Sequence, residues 1–198
     1  MPVVSGEPLL ERRRMSRADF DALPREVRAE YVHGVALMSP PANHGHQFLA
    51  TWIAAFLTQA LPEFYVSREA GLDLGDSLRI PDIVVYATFD EELGGTEWAQ
   101  VPPVLVVEVL SRTTRSEDLI RKPEEYLRAG IAHYWIVDRK ARTLTALTAG
   151  DDGWSVMLEL DDDHPTGEFE VTGHDRVTLD LPTLLRRPAC RADAPAGR

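Results

Sequence analysis

The amino-acid sequence predicts a single mixed α/β domain in which helices flank one mixed β-sheet. Helix-like spacing of apolar residues gives way to strands, then to a central strand, a second helix and further strands. Residues 104–110 are almost continuously apolar, which is typical of a strand covered on both faces. The chain has 198 residues, 44% of them hydrophobic, which is enough for one domain with a substantial core.

The domain is expected to lie between a lead-in and a tail. Residues 1–14 show no clear periodicity and predict a flexible N-terminal segment, the domain covers 15–187, and 188–198 are expected to be disordered. The only cysteine, Cys190, falls in this tail, so the sequence offers no disulfide framework and no Cys-based zinc site. Because neither a signal peptide nor an apolar run of about 20 residues occurs, we expect a cytoplasmic protein without membrane contact.

Short helices and a hairpin are predicted at the start of the domain. Ser16 is a suitable N-cap for a helix over residues 17–23, and 25–30 predict one further helical turn. Residues 31–38 are typical of a hairpin that turns at its His-Gly dipeptide. Residues 44–61 predict a long helix, because their apolar side chains recur at a spacing near 3.6.

Strand patterns dominate the rest of the chain. One helix interrupts them at 115–129, with Pro123 near its start and Gly130 at its C-terminal stop. An acidic loop that contains glycine is predicted at 90–95. The predicted strands cover residues 64–73, 80–86, 104–110, 133–138, 143–148, 154–160 and 168–171, with a short terminal element over 177–185.

The charge of the chain is strongly acidic. A net charge of −11 argues against non-specific adhesion to nucleic acid or to an anionic membrane, both of which need clustered basic residues. It does not exclude a local basic cleft. The densest basic segment of the predicted domain consists of Arg112, Arg115, Arg121 and Lys122.

Two acidic residues stand out in the strand patterns. Glu108 interrupts the most apolar strand, and a buried carboxylate is costly unless a metal ion, another cation or several donors compensate it. Asp82 follows Pro81 near the start of another predicted strand, so neighbouring strands would bring the two carboxylates together. Such a pair suits Mg²⁺, which keeps several waters. On a helical count Leu119, Lys122, Tyr126 and Ala129 share a largely apolar face. Lys122 would then project towards the sheet, where it would offset negative charge during phosphoryl transfer.

The same residues admit an ordinary structural interpretation. Asp82 would then cap a turn, Glu108 would pair with an arginine, and Lys122 would be solvated. His44 and His46 do not predict a zinc site, because they lack the i,i+4 spacing and the third ligand that a helical site needs.

A series of short motifs resembles a known family. In chain order they are Glu30-Tyr31, His33-Gly34, Met38-Ser-Pro-Pro41 with His46, Pro81-Asp82-Ile-Val-Val, Pro103-Val-Leu-Val-Val-Glu-Val-Leu-Ser111, Thr114-Arg-x-x-Asp118, Lys122 and Tyr126-x-x-Ala-Gly-Ile-x-x-Tyr-Trp-Ile-Val-Asp138. Together they resemble the Uma2 family of putative restriction endonucleases, which are relatives of the PD-(D/E)XK nucleases. The resemblance covers roughly residues 15–160.

The resemblance implies a restriction-endonuclease-like fold, hydrolysis of DNA with Mg²⁺ or Mn²⁺, and a homodimer. By resemblance, Asp82 and Glu108 are the metal-binding acids. The family motif usually ends in Glu-x-Lys, but Val109 and Leu110 follow the glutamate here. Lys122 on the next helix is therefore the expected replacement for the catalytic lysine.

Further residues are candidates for the same site. By resemblance Glu30 is an additional catalytic acid, and the alternative is a helix-end or surface glutamate. His46 is a candidate for contact with the substrate phosphate or with water, and the alternative is a capping or packing histidine. Arg115 in the basic segment is a second candidate for substrate contact.

Two other functions stay open at this point. One is a binding or regulatory domain that keeps the nuclease fold without catalysis, which the acidic net charge and the absent Glu-x-Lys favour. The other is a metal-dependent hydrolase that acts on a different phosphoester.

Overall fold

The computed structural model describes residues 10–24, 26–172, 174 and 176–186. Within them the α-helices are α1 (Arg17–Asp21), α2 (His44–Ala60), α3 (Glu91–Gly95), α4 (Lys122–Arg128) and α5 (Leu181–Leu184), and a π-helical segment, Glu117–Arg121, directly precedes α4. The strands are β1 (Glu11–Arg14), β2 (Ala29–Val32), β3 (Val35–Met38), β4 (Tyr65–Arg68), β5 (Gly71–Asp73), β6 (Ser77–Arg79), β7 (Ile83–Tyr86), β8 (Trp98–Ala99), β9 (Leu105–Val109), β10 (His133–Asp138), β11 (Thr143–Gly150), β12 (Gly153–Leu160), β13 (Thr166–Glu170) and β14 (Arg176–Asp180).

The strands form two larger sheets and a separate hairpin. The N-terminal sheet has the order β1-β3-β2-β6-β5-β8, the central sheet has the order β12-β11-β10-β9-β7-β4, and β13 pairs with β14. The central sheet is mixed, since β9 runs parallel to β10 and antiparallel to β7. The mixed α/β class is therefore confirmed, but the expectation of one sheet is wrong. The predicted strand 64–73 bends at Glu69, where φ is +52°, and its halves β4 and β5 join different sheets.

Strand β9 lies in the middle of the central sheet, as its composition predicts. All five of its residues are buried, and so are all four residues of β7. Helix α2 covers one face of this sheet with Leu49, Ile53 and Leu57. Each fully buried side chain of this size stabilises the fold by about 1.5–3 kcal/mol. The two strands that carry Asp82 and Glu108 at or next to their ends are therefore rigidly held.

The structure confirms several local predictions. The Ser16 hydroxyl accepts the backbone N–H of Asp19 at 3.1 Å and caps α1. The turn between β2 and β3 has positive φ at both His33 and Gly34, 45° and 83°, as the favoured two-residue hairpin turn requires. Strand β10 has the predicted bounds.

Other local predictions are wrong. Residues 11–14, expected to be flexible, form β1 because β3 offers them an antiparallel partner. The predicted helical turn over 25–30 overlaps β2, whose pairing with β3 and β6 outweighs local propensity. The predicted loop over 90–95 contains α3, because the Asp90 side chain accepts the Leu93 N–H at 2.8 Å.

Parts of the predicted lead-in and tail cannot be compared with the structure. Residues 1–9 and 187–198, with Cys190 among them, lie outside the described residues. In the described part of the chain, none of the helices combines the length and the apolar character needed to cross a membrane.

Candidate active site

The register of two central strands brings the two predicted acids together. Ile83 of β7 lies opposite Val107 of β9 in antiparallel pairing. Continued by one residue, this register sets Asp82 opposite Glu108, and side chains at opposite positions share a face of the sheet. Asp82 Oδ2 also accepts the backbone N–H of Val109 at 2.8 Å. The exposed fraction of the side chain is 12% for Asp82 and 3% for Glu108.

A buried lysine completes this arrangement. Lys122 Nζ donates to Glu108 Oε1 at 2.7 Å and lies 2.9 Å from Asp118 Oδ1. The Tyr126 hydroxyl donates to the same Glu108 oxygen at 2.8 Å. The alternatives of a solvated Lys122 and of an arginine partner for Glu108 are therefore wrong. We call Asp82, Glu108, Asp118 and Lys122 the acid cluster.

The π-helical segment explains how Asp118 enters the acid cluster. Its wide turn is closed by a hydrogen bond from the Lys122 N–H to the Glu117 carbonyl, five residues back. The wider turn directs Glu117 and Asp118 inward, whereas Leu119 is 40% exposed. A regular helical count predicts Leu119 on the buried face with Lys122, and this prediction is wrong for that reason. π-Helical turns of this kind are frequent at functional sites.

Burial and mutual repulsion perturb the carboxyl groups of the acid cluster. Burial, together with the charges of Asp118 and Asp82, raises the pKa of Glu108 to about 8 despite the neighbouring ammonium of Lys122. Burial also raises the pKa of Asp118, although Lys122 and a hydrogen bond from Thr114 act in the opposite direction. Burial disfavours the charged form of Lys122, but Asp118, Glu108 and Glu30 outweigh it and raise its pKa well above the usual value. Asp118, Glu108 and Glu30 thus share one lysine.

Asp82 differs from Glu108 and Asp118 because hydrogen-bond donors favour its charged form. His46 Nε2 lies 2.9 Å from Asp82 Oδ1, whereas the Val109 N–H donates to the other oxygen, Oδ2. Burial opposes ionisation of Asp82, yet His46, the Val109 N–H and Lys122 lower its pKa. His46 stands in the first turn of α2, and its Nδ1 is buried without a hydrogen-bond partner among the described residues.

A second buried network lies next to the acid cluster and is centred on Arg79. This arginine is fully buried and donates to both oxygens of Glu125, at 2.7 and 2.8 Å. It also donates to Glu30 Oε2 at 3.0 Å and to Glu117 Oε2 at 3.4 Å. We call Arg79, Glu30, Glu117 and Glu125 the arginine cluster. No sequence pattern predicts this cluster, because Arg79 is a single basic residue at the end of a short strand.

Glu30 links the two clusters. Its Oε1 accepts the backbone N–H of Ile80 at 2.9 Å and lies 3.5 Å from Lys122 Nζ. Burial disfavours the charged form, but Lys122 and Arg79 together lower the pKa of Glu30. The interpretation as a helix-end or surface glutamate is wrong, since Glu30 lies in β2 and its side chain is 14% exposed. Glu30 thus lies in contact with both Lys122 and Arg79.

Arg115 lies apart from these contacts. Its Nη1 donates to Asp138 Oδ2 at 2.6 Å, and its side chain is 53% exposed. The other oxygen of Asp138 accepts the backbone N–H groups of Lys140 and Ala141 at the turn after β10. Arg115 is therefore a partner of a turn residue and not a member of the acid cluster.

The donor set of the acid cluster fits a hard divalent cation. Among the described residues, no three His, Cys, Asp or Glu side chains are arranged as a complete metal site. Mg²⁺, however, needs only one or two carboxylates and takes water for its remaining ligands. Asp82 and Glu108 supply two carboxylates on one face, and burial, with a smaller contribution from Asp118 and Asp82, raises the pKa of Glu108. A bound cation would favour the charged form of Glu108.

Comparisons with known proteins agree with this architecture. The structure is similar to the crystal structure of a putative nuclease belonging to DUF820 from Anabaena variabilis, with a TM-score of 0.66 and 18% sequence identity over 85% of this chain and 96% of that chain. At this identity the similarity shows the fold alone. A search of the curated proteins finds no match. The family model of Uma2, described as putative restriction endonuclease, matches residues 17–171. The chain therefore belongs to the Uma2 family.

Proposed function

We propose that this protein is a Mg²⁺- or Mn²⁺-dependent endonuclease that hydrolyses phosphodiester bonds in DNA. The observation that carries the proposal is the acid cluster, in which buried Glu108 and Asp118 both contact Lys122 and Asp82 lies opposite Glu108. Strongly perturbed carboxyl groups that converge in this way are typical of catalytic sites. Membership of a family described as putative restriction endonucleases supports the choice of substrate.

Asp82 and Glu108 would hold the cation. When bound, such an ion polarises a phosphoryl oxygen and makes hydroxide available near neutral pH. Asp82 suits this task because the Val109 N–H and His46 fix its two oxygens and keep it charged. Glu108 suits it because its carboxyl group lies opposite Asp82 and gives up its proton more readily beside a further positive charge.

Lys122 would orient the attacking water and stabilise negative charge on the phosphoryl oxygens. Its raised pKa keeps the ammonium charged throughout the physiological range. Asp118 and Glu30 hold Nζ from two sides, at 2.9 and 3.5 Å. These two acids would position the lysine, and neither needs to touch the substrate.

Cleavage of supercoiled plasmid DNA with Mg²⁺ or Mn²⁺ tests the proposal. Wild type is expected to nick the plasmid, and Asp82→Asn and Glu108→Gln are each expected to lose activity by at least about 100-fold. Asp162→Asn and Glu168→Gln are matched controls, because both acids form exposed ion pairs on other elements. Undiminished cleavage by both site variants would sink the assignment.

A catalytically inactive binding or regulatory domain is the second candidate. The contact of Lys122 with both Glu108 and Asp118 favours it, since an internal cation already pairs with the cluster. Titration calorimetry with Mn²⁺ separates the two functions, because an absence of binding at millimolar metal favours the inactive domain. Hydrolysis of another phosphoester is tested by offering bis(p-nitrophenyl) phosphate beside DNA, and turnover of this ester alone would identify such a hydrolase.

A homodimer belongs to the same proposal. The structural feature that supports it is the edge of the central sheet, where β12 leaves Val156 and Met157 61% and 62% exposed. Sedimentation velocity tests it, with Met157→Lys as the variant expected to shift the protein towards monomer. A wild-type protein that sediments as a monomer at micromolar concentration contradicts it.

A further inference from the structure

A groove of about 650 Å³ lies between the N-terminal sheet and the helix that carries Lys122. Four arginines line it, two from β1 and two from the helical side: Arg12, Arg14, Arg121 and Arg128. This concentration is notable in a chain whose net charge is −11.

Secondary-structure periodicity places these arginines on two facing walls. Arg12 and Arg14 are two residues apart on a strand, so their side chains share one face of β1. Arg121 and Arg128 are seven residues apart, about two turns, so they share one side of the helix.

The floor of the groove is apolar. Val32, Val35 and Leu37 come from the hairpin β2–β3, and Ile120, 72% exposed, comes from the helical wall. The groove therefore combines a strip of aliphatic surface with a guanidinium-rich rim.

The acids near the groove do not cancel its positive charge. Arg12 and Arg121 share one oxygen of Glu117, at 2.7 and 3.1 Å. Glu125 is committed to the buried Arg79, which leaves Glu124 as the partner of Arg128 at 2.9 Å. No ion pair to Arg14 occurs among the described residues. Each paired arginine also keeps N–H donors that one carboxylate oxygen cannot use.

We propose that this groove binds the phosphate backbone of the nucleic acid whose cleavage is proposed at the acid cluster, so the inference rests on that function. Guanidinium groups match phosphate oxygens with two parallel hydrogen bonds. An acidic protein needs a local basic track of this kind to approach a polyanion. The aliphatic floor suits the apolar faces of the sugars between phosphates.

The groove and the acid cluster share a structural wall. Glu117 pairs with Arg12 and Arg121 of the groove, and the chain neighbours Asp118 and Lys122 belong to the acid cluster. The π-helical segment thus directs charged side chains both to the groove and to the acid cluster. A strand held by the groove would lie against the helix that carries the catalytic lysine.

The test is the salt dependence of DNA binding by the full chain in EDTA, which prevents cleavage. Fluorescence anisotropy with a labelled duplex compares wild type with Arg14→Ala/Arg128→Ala. The logarithm of the association constant falls as the logarithm of the salt concentration rises. We expect the double variant to make this slope less steep by about 2, roughly 0.9 for each lost phosphate contact, and to weaken binding by about tenfold or more. Arg142→Ala/Arg176→Ala is the matched control, since both arginines form exposed ion pairs elsewhere, and it should change neither quantity.

The outcomes separate the groove from the nuclease function. If wild type cleaves the plasmid and Arg14→Ala/Arg128→Ala has the wild-type salt slope, the proposed role of the groove is wrong and the proposed nuclease function stands. A wild type that neither binds nor cleaves DNA overturns both proposals. If the double variant loses affinity for poly-glutamate but not for the duplex, the groove belongs to an acidic protein partner and the inference is wrong. Circular dichroism melting of all variants excludes unfolding as the cause.

Discussion

The acid cluster and the arginine cluster are similar in composition but differ in how they affect the ionisation of their carboxyl groups. Each contains one buried cation and three carboxyl groups, and the exposed fraction of the cation's side chain is 4% for Lys122 and 0% for Arg79. Burial raises the pKa of Glu108 and of Asp118. In the arginine cluster, donors overcome burial and lower the pKa of both Glu30 and Glu125. The charged forms of Glu30 and Glu125 are therefore favoured, whereas those of Glu108 and Asp118 are disfavoured.

The number of donors explains this difference. Arg79 presents five N–H groups in a planar fork and satisfies both oxygens of Glu125 at once. Arg12 and Arg121 add two more guanidinium groups at Glu117. Lys122 offers one compact ammonium to the acid cluster. A network with enough donors stabilises the fold, whereas a buried excess of acid suits a site that takes up a cation.

The largest effect on stability is expected from Arg79→Leu. Removing this arginine leaves Glu125 and Glu30 buried without their main donor, which costs about 3–5 kcal/mol of unfolding free energy. Urea unfolding at pH 7 measures the loss. A change below about 1 kcal/mol would mean that the arginine cluster is not structural.

Lys122→Met is expected to lower the free energy of unfolding by less than Arg79→Leu does, about 1–3 kcal/mol, although it also removes a buried cation. Glu108 and Asp118 can take up protons when the lysine is absent, because their pKa values are already raised. Urea unfolding beside Arg79→Leu gives the comparison, and plasmid cleavage should fall by about 100-fold or more. A loss of stability equal to that of Arg79→Leu contradicts the distinction between the clusters.

Glu108→Gln should change how stability depends on pH. The pKa of Glu108 is raised from an ordinary value of 4.5 to about 8 in the folded protein, so the native state binds more protons than the unfolded state between these values. Wild type should therefore lose stability relative to Glu108→Gln as the pH rises from about 5 to about 9 in EDTA. Thermal unfolding at several pH values measures this difference. A difference that stays constant, or that grows in favour of wild type, refutes the raised pKa.

The smallest effect on stability is expected at His46, whose replacement by alanine should act on metal affinity instead. His46 holds one oxygen of Asp82, and loss of such a supporting contact lowers metal affinity by about 10–100-fold. Titration calorimetry with Mn²⁺ measures the change. His44→Ala is the matched control, because His44 lies exposed in the same turn of α2. Equal affinities for the two variants would remove His46 from the site.

Much of the acid cluster follows from sequence pattern alone. A glutamate inside an apolar strand and an aspartate at the start of another are visible signals, and antiparallel register brings Asp82 and Glu108 together. The helical count also directs Lys122 inward correctly. These inferences hold because they depend on the fixed periods of strands and helices.

What the sequence does not predict depends on departures from those periods and on contacts between distant elements. Asp118 belongs to the motif Thr114-Arg-x-x-Asp118, which resembles the family. Its side chain points inward because of the π-helical turn, which a regular count of 3.6 residues per turn does not predict. The arginine cluster joins β6, β2 and α4, and no local pattern reports such a meeting. The bend at Glu69, which separates β4 and β5 into different sheets, is likewise not predicted by the strand pattern.

Calorimetric titration of Mn²⁺ into the wild type, Asp82→Asn and Glu108→Gln tests the central claim most directly. We expect wild type to bind about one ion with a dissociation constant at or below the millimolar range, and each variant to bind at least about tenfold more weakly. Release of protons on binding near pH 7 is also expected, because Glu108 must ionise. If wild type binds no Mn²⁺ at millimolar concentration, or if both variants bind as tightly as wild type, the acid cluster is not a metal site.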